Sequence, residues 1–445
     1  MFLPSTNPFV SVPLLYAAYF VLRGIYRITL HPLAGFPGPK LAGFTRWYEI
    51  YWEVYKSGKY ALHIEELHKQ YGPIIRINPF ELHVNDPAFY DQLYNFSPDL
   101  DRPKTTQDNL QASATFQVHK ARRCAIEPYF SKPAVLKLQY LIRSSVEELC
   151  QRLHEARNAG RPADISLLAR CLTSDIVTEY LFAQPYGFLS DPVKSEAFFA
   201  ANNTIFESYY MWRENAIVKF LMQCTALVPS WMLPAGHISK TLQPFRDSVA
   251  QRIKVAASRT ESDQADAGHR VLFDDWKYLD LPARDKNFEA QLDTAAMFTS
   301  AGFETTSFTI EHAMFHLHDN PECLARLQDE LATALPDPTE FPDVTVLEKL
   351  PYLSAVIQEC LRLSLGVMSR LPRKNTKRAL RFDDWIIPRG TLVGMSIRLI
   401  HYNPKIFPDP HKFDPDRWLK GPDSKELSKY MVAFSRGARR CIGIQ

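Results

Sequence analysis

Among its seven cysteines, scattered from Cys124 to Cys441, the sequence has no C-x-x-C pair. That absence argues against a structural zinc site, and the odd count argues against a disulfide framework; both favour a reducing compartment. Glycine is scarce, 17 residues against 32 prolines, so the chain has many helix starts and rigid turns rather than flexible linkers. Neither charge dominates: 52 Lys+Arg against 49 Asp+Glu leaves +3, too little to suggest nucleic acid as a bulk partner. Internal repeats, low-complexity tracts and long charge runs are also missing, which sets aside solenoids and charged tails. What is there is 445 residues with 46% hydrophobic and 12% aromatic side chains. That composition is ordinary for a globular protein, at a length that suits one large helical domain or two to three average ones.

Residues 1–22 carry no charged side chain, and Phe9–Leu22 reads FVSVPLLYAAYFVL. A bilayer core needs about 20 apolar residues, so residues 1–27 are predicted to be a single-pass membrane anchor. Arg23 and Arg27 follow at once, which by the positive-inside rule leaves the remainder cytosolic. A cleaved signal peptide would want cations before the run and small residues after it. A buried core helix interrupted by Pro13 is the plainer alternative. Residues 28–40, with Pro32, Pro37 and Pro39 among Gly35 and Gly38, read as a stiff hinge, and 41–445 as one domain. A second apolar run, Phe220–Leu233, reads as a buried helix end, with a loop dipping into a bilayer as the functional alternative.

Within 41–445 the apolar spacing predicts a helix over Tyr60–Gln70 and a hairpin of Ile74–Asn78 with Glu81–Val84 around Pro79. Most of Ser131–Leu335 is helix-like, with the polar stretch Arg259–Asp285 read as a surface connection. Short strands are expected in Ala379–Ile387 and Thr391–Val393, and an irregular meander over Asn403–Trp418. The fold class is mainly α, one helical domain with small sheets.

Three patterns carry chemistry. The first is FSRGARRCIGIQ, Phe434–Gln445, which holds Phe434, Gly437, Arg439, Cys441 and Gly443 at fixed spacing. A lone cysteine is usually a small buried hydrophobe. Here two glycines let amides turn toward the sulfur and two arginines add positive charge, so the surroundings are expected to favour the thiolate. A thiolate in a glycine-turned loop is what axial ligation of haem iron requires. The second is AGFETTS, Ala301–Ser307, in a helical stretch from about Phe288 to Leu317. Gly302 disfavours a helix interior by about 1 kcal/mol relative to Ala, and Thr305 can divert a local helix hydrogen bond beside the acid Glu304. The third is Glu359-x-x-Arg362, whose side chains share a helix face. Alone it is weak.

These motifs resemble the cytochrome P-450 haem-thiolate monooxygenases, and the resemblance covers nearly the whole chain. FELHVNDPAFYDQLY (Phe80–Tyr94) is similar to fungal members that oxidise secondary metabolites. The resemblance implies a helical fold with small sheets around a haem, preceded by a transmembrane helix in the endoplasmic reticulum membrane. It implies haem b with Cys441 as axial ligand, and Glu304 and Thr305 as the acid and hydroxyl that deliver protons to bound dioxygen. A structural triad of Glu359, Arg362 and Arg417 would pin the cysteine loop. His119 (where the family usually has Trp), Arg123, Arg370 and Arg439 would reach the haem propionates. Phe298, Ala301, Thr305, Val367 and Met368 are candidate pocket residues. Electrons would come from NADPH through NADPH–cytochrome P-450 reductase, an acidic flavoprotein facing Lys120, Arg122, Lys132, Arg436 and Arg440. The implied reaction inserts one oxygen atom into an apolar, terpenoid- or polyketide-like molecule. A haem-thiolate isomerase or dehydratase is an alternative. The family continues past the cysteine loop with a helix and strands, whereas this sequence stops four residues after Cys441. The expectation is a truncated domain lacking that segment, with an inactive, haem-deficient membrane protein as the further alternative.

Overall fold

The structure, a computed structural model, describes residues 8–95, 97, 99–101, 115–214, 228, 232, 238–260, 268–337, 341–419 and 421–444. The N-terminal run folds as helix α1, Pro8–Thr29, through Pro13. Among the described residues no helix is long and apolar enough to cross a membrane. The last turns of α1 pack on the residues that follow the hinge. Gly24 lies against the Phe44 ring, where any side chain would collide. Buried Arg27 donates to the Phe44 carbonyl at 3.0 Å, and its own carbonyl accepts from Arg76 at 2.8 Å.

After the hinge come α2 (Lys40–Phe44), α3 (Trp47–Ile50), which runs on into a π-helical turn Tyr51–Tyr55, and α4 (Tyr60–Tyr71). The expected hairpin is β1 (Ile74–Asn78) with β2 (Glu81–Val84), antiparallel, pairing Ile74 with Val84 and irregular between Arg76 and Asn78. Helix α5 (Pro87–Leu93) starts on Asp86, whose carboxylate accepts the Ala88 amide; Pro87 fills the first turn. β3 is Leu100–Asp101.

The helical core follows: α6 (Phe116–Ile126), α7 (Gln139–Asn158), α8 (Ile165–Phe182), α9 (Pro192–Glu214), α10 (Ile238–Ser258) and the 32-residue α11 (Phe288–Asp319). Asn287 caps α11 by accepting the Ala290 amide at 2.8 Å. The Arg259–Asp285 stretch is not a surface connection where it is described. Val271, Leu272, Phe273, Trp276, Leu279 and Leu281 are buried, and Phe273 stacks on Phe182 at 4.9 Å and on Trp276 at 5.0 Å. Apolar residues spaced among charges defeated the composition-based reading. The Phe220–Leu233 run lies outside the described residues apart from Val228 and Met232.

Helices α12 (Pro321–Ala334) and α13 (Pro351–Ser364) lead to the second half of the sheet. Leu365, in the left-handed conformation at φ 45°, ends α13. Strands β4 (Arg373–Asn375), β5 (Leu380–Phe382), β6 (Trp385–Ile387) and β7 (Leu392–Gly394) precede α14 (Ile397–His401). The main sheet has the order β1-β2-β7-β4-β3, with β2 and β7 parallel, while β5 and β6 form a separate hairpin. Strand β4 escaped the sequence pattern because RKN has no apolar alternation; its neighbours β3 and β7 make it a strand. α11 packs on α8, α10 and α13, which places it at the centre of the helical part.

Candidate functional site

Cys441 sits beyond a short 3-10 turn, Gly437–Arg439. The turn forms because Ser435 (φ 59°) and Gly437 (φ 70°) both take left-handed backbone. A side chain at Gly437 would run into the Tyr94 and Asn95 carbonyls, so glycine is required there. Gly443, by contrast, has open space around it. The Cys441 amide donates to the Phe434 carbonyl at 2.9 Å and the Arg440 amide to Gly437 at 3.2 Å. Arg123, from α6, donates to the Arg440 carbonyl at 2.7 Å, and Ile442 packs on the cluster that contains Ile126, Ala295 and Phe298. The loop is thereby tied to α6 and to the N-terminal half of α11. His119 is buried on α6 and Arg439 is half-buried in the turn.

The cysteine is exposed at its surface yet crowded by protein on its other sides. That crowding pushes the thiol above its ordinary value, outweighing the Gly443 amide and the Arg123 charge. The expected thiolate is therefore not favoured by the protein alone. The cation in reach is Arg123 rather than the two arginines of the loop. Among the described residues no three His, Cys, Asp or Glu side chains converge to hold a metal ion.

The Glu359 expectation is met in geometry. Glu359, fully buried, accepts from Arg362 at 2.7 and 2.9 Å, from Arg417 at 3.0 Å, from the Trp418 indole at 2.9 Å and from the Asp414 amide at 3.0 Å. Burial alone would raise its pKa, but the two guanidiniums and the amide outweigh burial and hold the carboxyl below the ordinary glutamate range. Sequence reasoning missed a further pin, His401. Its Nδ1 donates to the Arg362 carbonyl at 3.0 Å and its Nε2 accepts the Val432 amide at 3.0 Å. Burial pushes it down to about 3, so the ring is neutral, as the acceptor role demands. The triad and His401 thus reach the segment just before the cysteine loop.

Arg370 is not placed for a propionate. It is buried among three carboxylates: Glu49 at 2.5 Å, Glu81 at 3.3 Å and Glu53 at 3.5 Å. Three residues on, Arg373 is the one that fits an anion. It is buried at 5% exposure, yet it donates to the Leu371 and Pro372 carbonyls and lies over the Tyr94 ring, 4.9 Å from its centroid. Burial lowers its pKa, with only Tyr94 and Tyr90 opposing. An arginine buried with no carboxylate partner among the described residues, beside the Tyr94–Asn95 turn that cradles Gly437, suits an acidic cofactor edge. The signal in the sequence was L-P-R, a cation entering a strand directly after a proline turn.

On α11, Thr305 donates to the Ala301 carbonyl at 3.0 Å, and Ala301 is exposed. The Gly366 backbone passes Thr305 closely, and Gly366, Val367 and Met368 are all exposed. These exposed apolar groups lie side by side where the end of α13 meets α11, and would suit a flat hydrophobic cofactor and an apolar ligand. Phe298 does not join them; it is a core residue, 5.4 Å from the Phe130 ring. Glu304 points away from Thr305, toward α8 and α9, where Asn202 donates to it at 2.7 Å and Arg170 at 3.4 Å. Burial raises its pKa against the pull of Arg170 and Asn202. Of the expected reductase-facing cations, Arg122 is buried in an ion pair with Asp285 at 2.5 Å, Lys132 pairs with Glu348 and Arg436 with Asp91.

This geometry accords with the comparison to protein families, in which the Cytochrome P-450 family model matches residues 42–445. The chain belongs to the cytochrome P-450 family. It is an enzyme of that family, whose members use haem, a redox partner and a small-molecule substrate. A cytochrome P-450 monooxygenase of Ascocoryne sarcoides is 35% identical over 436 residues, covering 94% of this chain and 85% of the relative. The tryptophan 6-hydroxylase of Fusarium equiseti is 34% identical, over 94% of this chain and 83% of the relative. The fusicoccadiene C-8 hydroxylase of Phomopsis amygdali is 33% identical, over 97% and 85%. The matched region begins within α2 and leaves α1 outside.

Proposed function

We propose that the chain is a haem-thiolate monooxygenase acting on an apolar secondary metabolite of terpenoid or polyketide type. The observation that carries this reading is the exposed Cys441 in a loop tied to α6 and α11, with buried Arg373, which has no carboxylate partner among the described residues, beside the same turn. Cys441 would ligate the iron of haem b through Sγ, and Arg373, Arg123, Arg439 and His119 would hold its acidic edge. Bound haem supplies dioxygen activation, with electrons drawn from NADPH through a reductase. The protein's own residues do the rest. Ala301, Val367 and Met368 offer an apolar wall that excludes water. Thr305 keeps a hydroxyl at the groove of α11, and Glu304, on leaving Arg170 and Asn202, would take up a proton from solvent and pass it toward that hydroxyl. Glu359, Arg362, Arg417 and His401 fix the approach to the cysteine. The exposed cations Lys120 and Arg440 offer the reductase a basic contact. Residues 1–27 attach the enzyme to the endoplasmic reticulum membrane, with the catalytic domain in the cytosol.

The test is the reduced, carbon-monoxide-bound absorption spectrum of the purified chain reconstituted with haem. A thiolate-type spectrum that Cys441→Ser abolishes supports the reading, because a hydroxyl is a poor iron donor. A spectrum retained by the variant places the ligand elsewhere and overturns it.

A further inference from the structure

The chain from Leu365 to Leu371 leads from the end of α13 toward the sheet, and both of its ends stand in uncommon backbone. Leu365 and Leu371 each take φ 45°. A leucine rarely enters this left-handed region, and it stays there only where its surroundings over-determine it. The near end is set by α13. Leu365 is buried behind the last turn, which Tyr402 and Thr309 hold through the Leu363 carbonyl and the Ser364 hydroxyl, at 3.1 Å each. The far end is set by Arg370. Its carbonyl accepts from the Met395 amide at 3.0 Å and from the Tyr94 hydroxyl at 3.2 Å. Its guanidinium is held by Glu49, Glu53 and Glu81 and lies over the Tyr60 ring. With main chain and side chain both fixed, Leu371 is left to absorb the turn. Between the anchors run Gly366, which passes Thr305, and the exposed Val367 and Met368.

One carboxylate would neutralise a buried arginine; here three gather, two of them four residues apart on one helical run. Glu53, the most remote at 3.5 Å, is buried all the same. It sits on the π-helical turn Tyr51–Tyr55, a distortion frequent at functional sites. We propose that Glu49 and Glu53 are positioning residues for the substrate pocket, holding the strap 366–369 through Arg370 so that Val367 and Met368 stand against α11. This rests on the haem-thiolate reading, in which those two side chains wall the pocket. Neither acid touches the substrate. The strained leucines supply the restoring tendency: when the hold on Arg370 weakens, Leu371 returns toward common backbone and draws Met368 with it.

The experiment uses the full chain carrying Glu49→Gln or Glu53→Gln, each of which leaves Arg370 two carboxylates. Hydrogen exchange read by mass spectrometry follows the strap without any haem chemistry. Amides of 366–371 should exchange about fivefold faster in either variant, while α8 and α11 keep their natural rates. In the haem-loaded chain, imidazole, which needs only the iron, should bind as before. A phenyl-substituted imidazole, whose second ring reaches the pocket wall, should bind about fivefold more weakly. Glu53→Asp, which keeps the charge, should recover part of both effects. Unchanged exchange in the strap, exchange that rises equally in α11, or equal weakening of the two imidazoles would overturn the proposal. The carbon monoxide spectrum separates the failures. A natural chain without the thiolate-type spectrum, with faster strap exchange in the variants, strikes the haem reading and leaves the anchoring of the strap standing. A normal spectrum with unchanged strap exchange strikes only this proposal.

Discussion

Two buried ionic clusters, whose arginines are eight positions apart in the chain, are assembled in opposite senses. Around Glu359 one carboxylate is held by two guanidiniums, an indole and an amide, and the spare Arg362 donors reach the carbonyls of His401 at 2.9 Å and Pro410 at 2.6 Å. Around Arg370 one guanidinium is shared by three carboxylates, with Asn78 donating to Glu49 and to Glu81 at 3.0 Å each and Arg46 reaching Glu49 from outside at 3.7 Å. The first cluster is rich in donors, and the second is rich in acid. Burial works against the charge of Arg370, but Glu81, Glu49 and Glu53 outweigh it and keep the group firmly protonated. The difference teaches that a buried cation's role follows from the count of charges around it. Arg362 serves a carboxylate that pins a loop; Arg370 is the counter-ion that lets three acids be buried at all, and it binds the first hundred residues to the segment after α13.

The contrast is broken most severely at Arg370. Arg370→Met would leave Glu49, Glu53 and Glu81 together without their shared cation, a loss of about 5 kcal/mol that would approach the whole stability of a domain. Chemical denaturation should show it, and adding Glu49→Gln and Glu53→Gln should restore part of the loss. A fully stable Arg370→Met chain would refute the counter-ion role.

Next in size is Glu359→Gln, expected to cost about 3–4 kcal/mol. The effect is smaller because Arg362 and Arg417 keep carbonyl acceptors. Haem retention should fall in parallel, since the segment before Cys441 loses its pin; undiminished stability and haem content would count against the triad.

A smaller and pH-dependent effect belongs to His401, which borders the first cluster. Its folded pKa of about 3 lies below the ordinary value of 6.5, so its contribution is complete above about pH 6.5 and declines as pH falls toward 3. At pH 5 the loss should be about 2 kcal/mol. Stability curves from pH 7 to pH 5 should be flatter in His401→Gln than in the natural chain, and parallel curves would show that the ring does not carry the dependence.

The smallest expected change is Tyr60→Phe beside the second cluster. Arg370 lies over the Tyr60 ring at 5.2 Å, and the hydroxyl donates to the Ile77 carbonyl. Loss of that bond should cost about 1 kcal/mol, readable as a modest shift of the denaturation midpoint.

Local signals transferred well from sequence to structure. The hairpin around Pro79 and the helix over Tyr60–Tyr71 follow apolar spacing and turn chemistry, which act between near neighbours. The long central helix was equally visible, from about Phe288 to Leu317. Arg370 was misread because its identity as a basic residue after the Glu359 helix is local, whereas Glu49, Glu53 and Glu81 come from more than 280 residues earlier. Arg373 was passed over because L-P-R is a weak local signal, and spacing alone does not tell that the cation after the proline turn will be buried. The end of α1 and the buried stretch Val271–Leu281 were lost to composition, which does not register what packs against Gly24 or Phe273.

By itself the sequence determined the family, the cysteine loop and the partners Glu359 and Arg362, since these rest on residue type at short, fixed spacing. Only the tertiary structure decided that Arg370 is taken up by three carboxylates, that Glu304 and Thr305 point to different sides of α11, and that His401 holds the approach to Cys441. Those outcomes depend on burial and on charges brought together from distant parts of the chain, and the energy of a buried charge is set by neighbours that spacing alone does not specify.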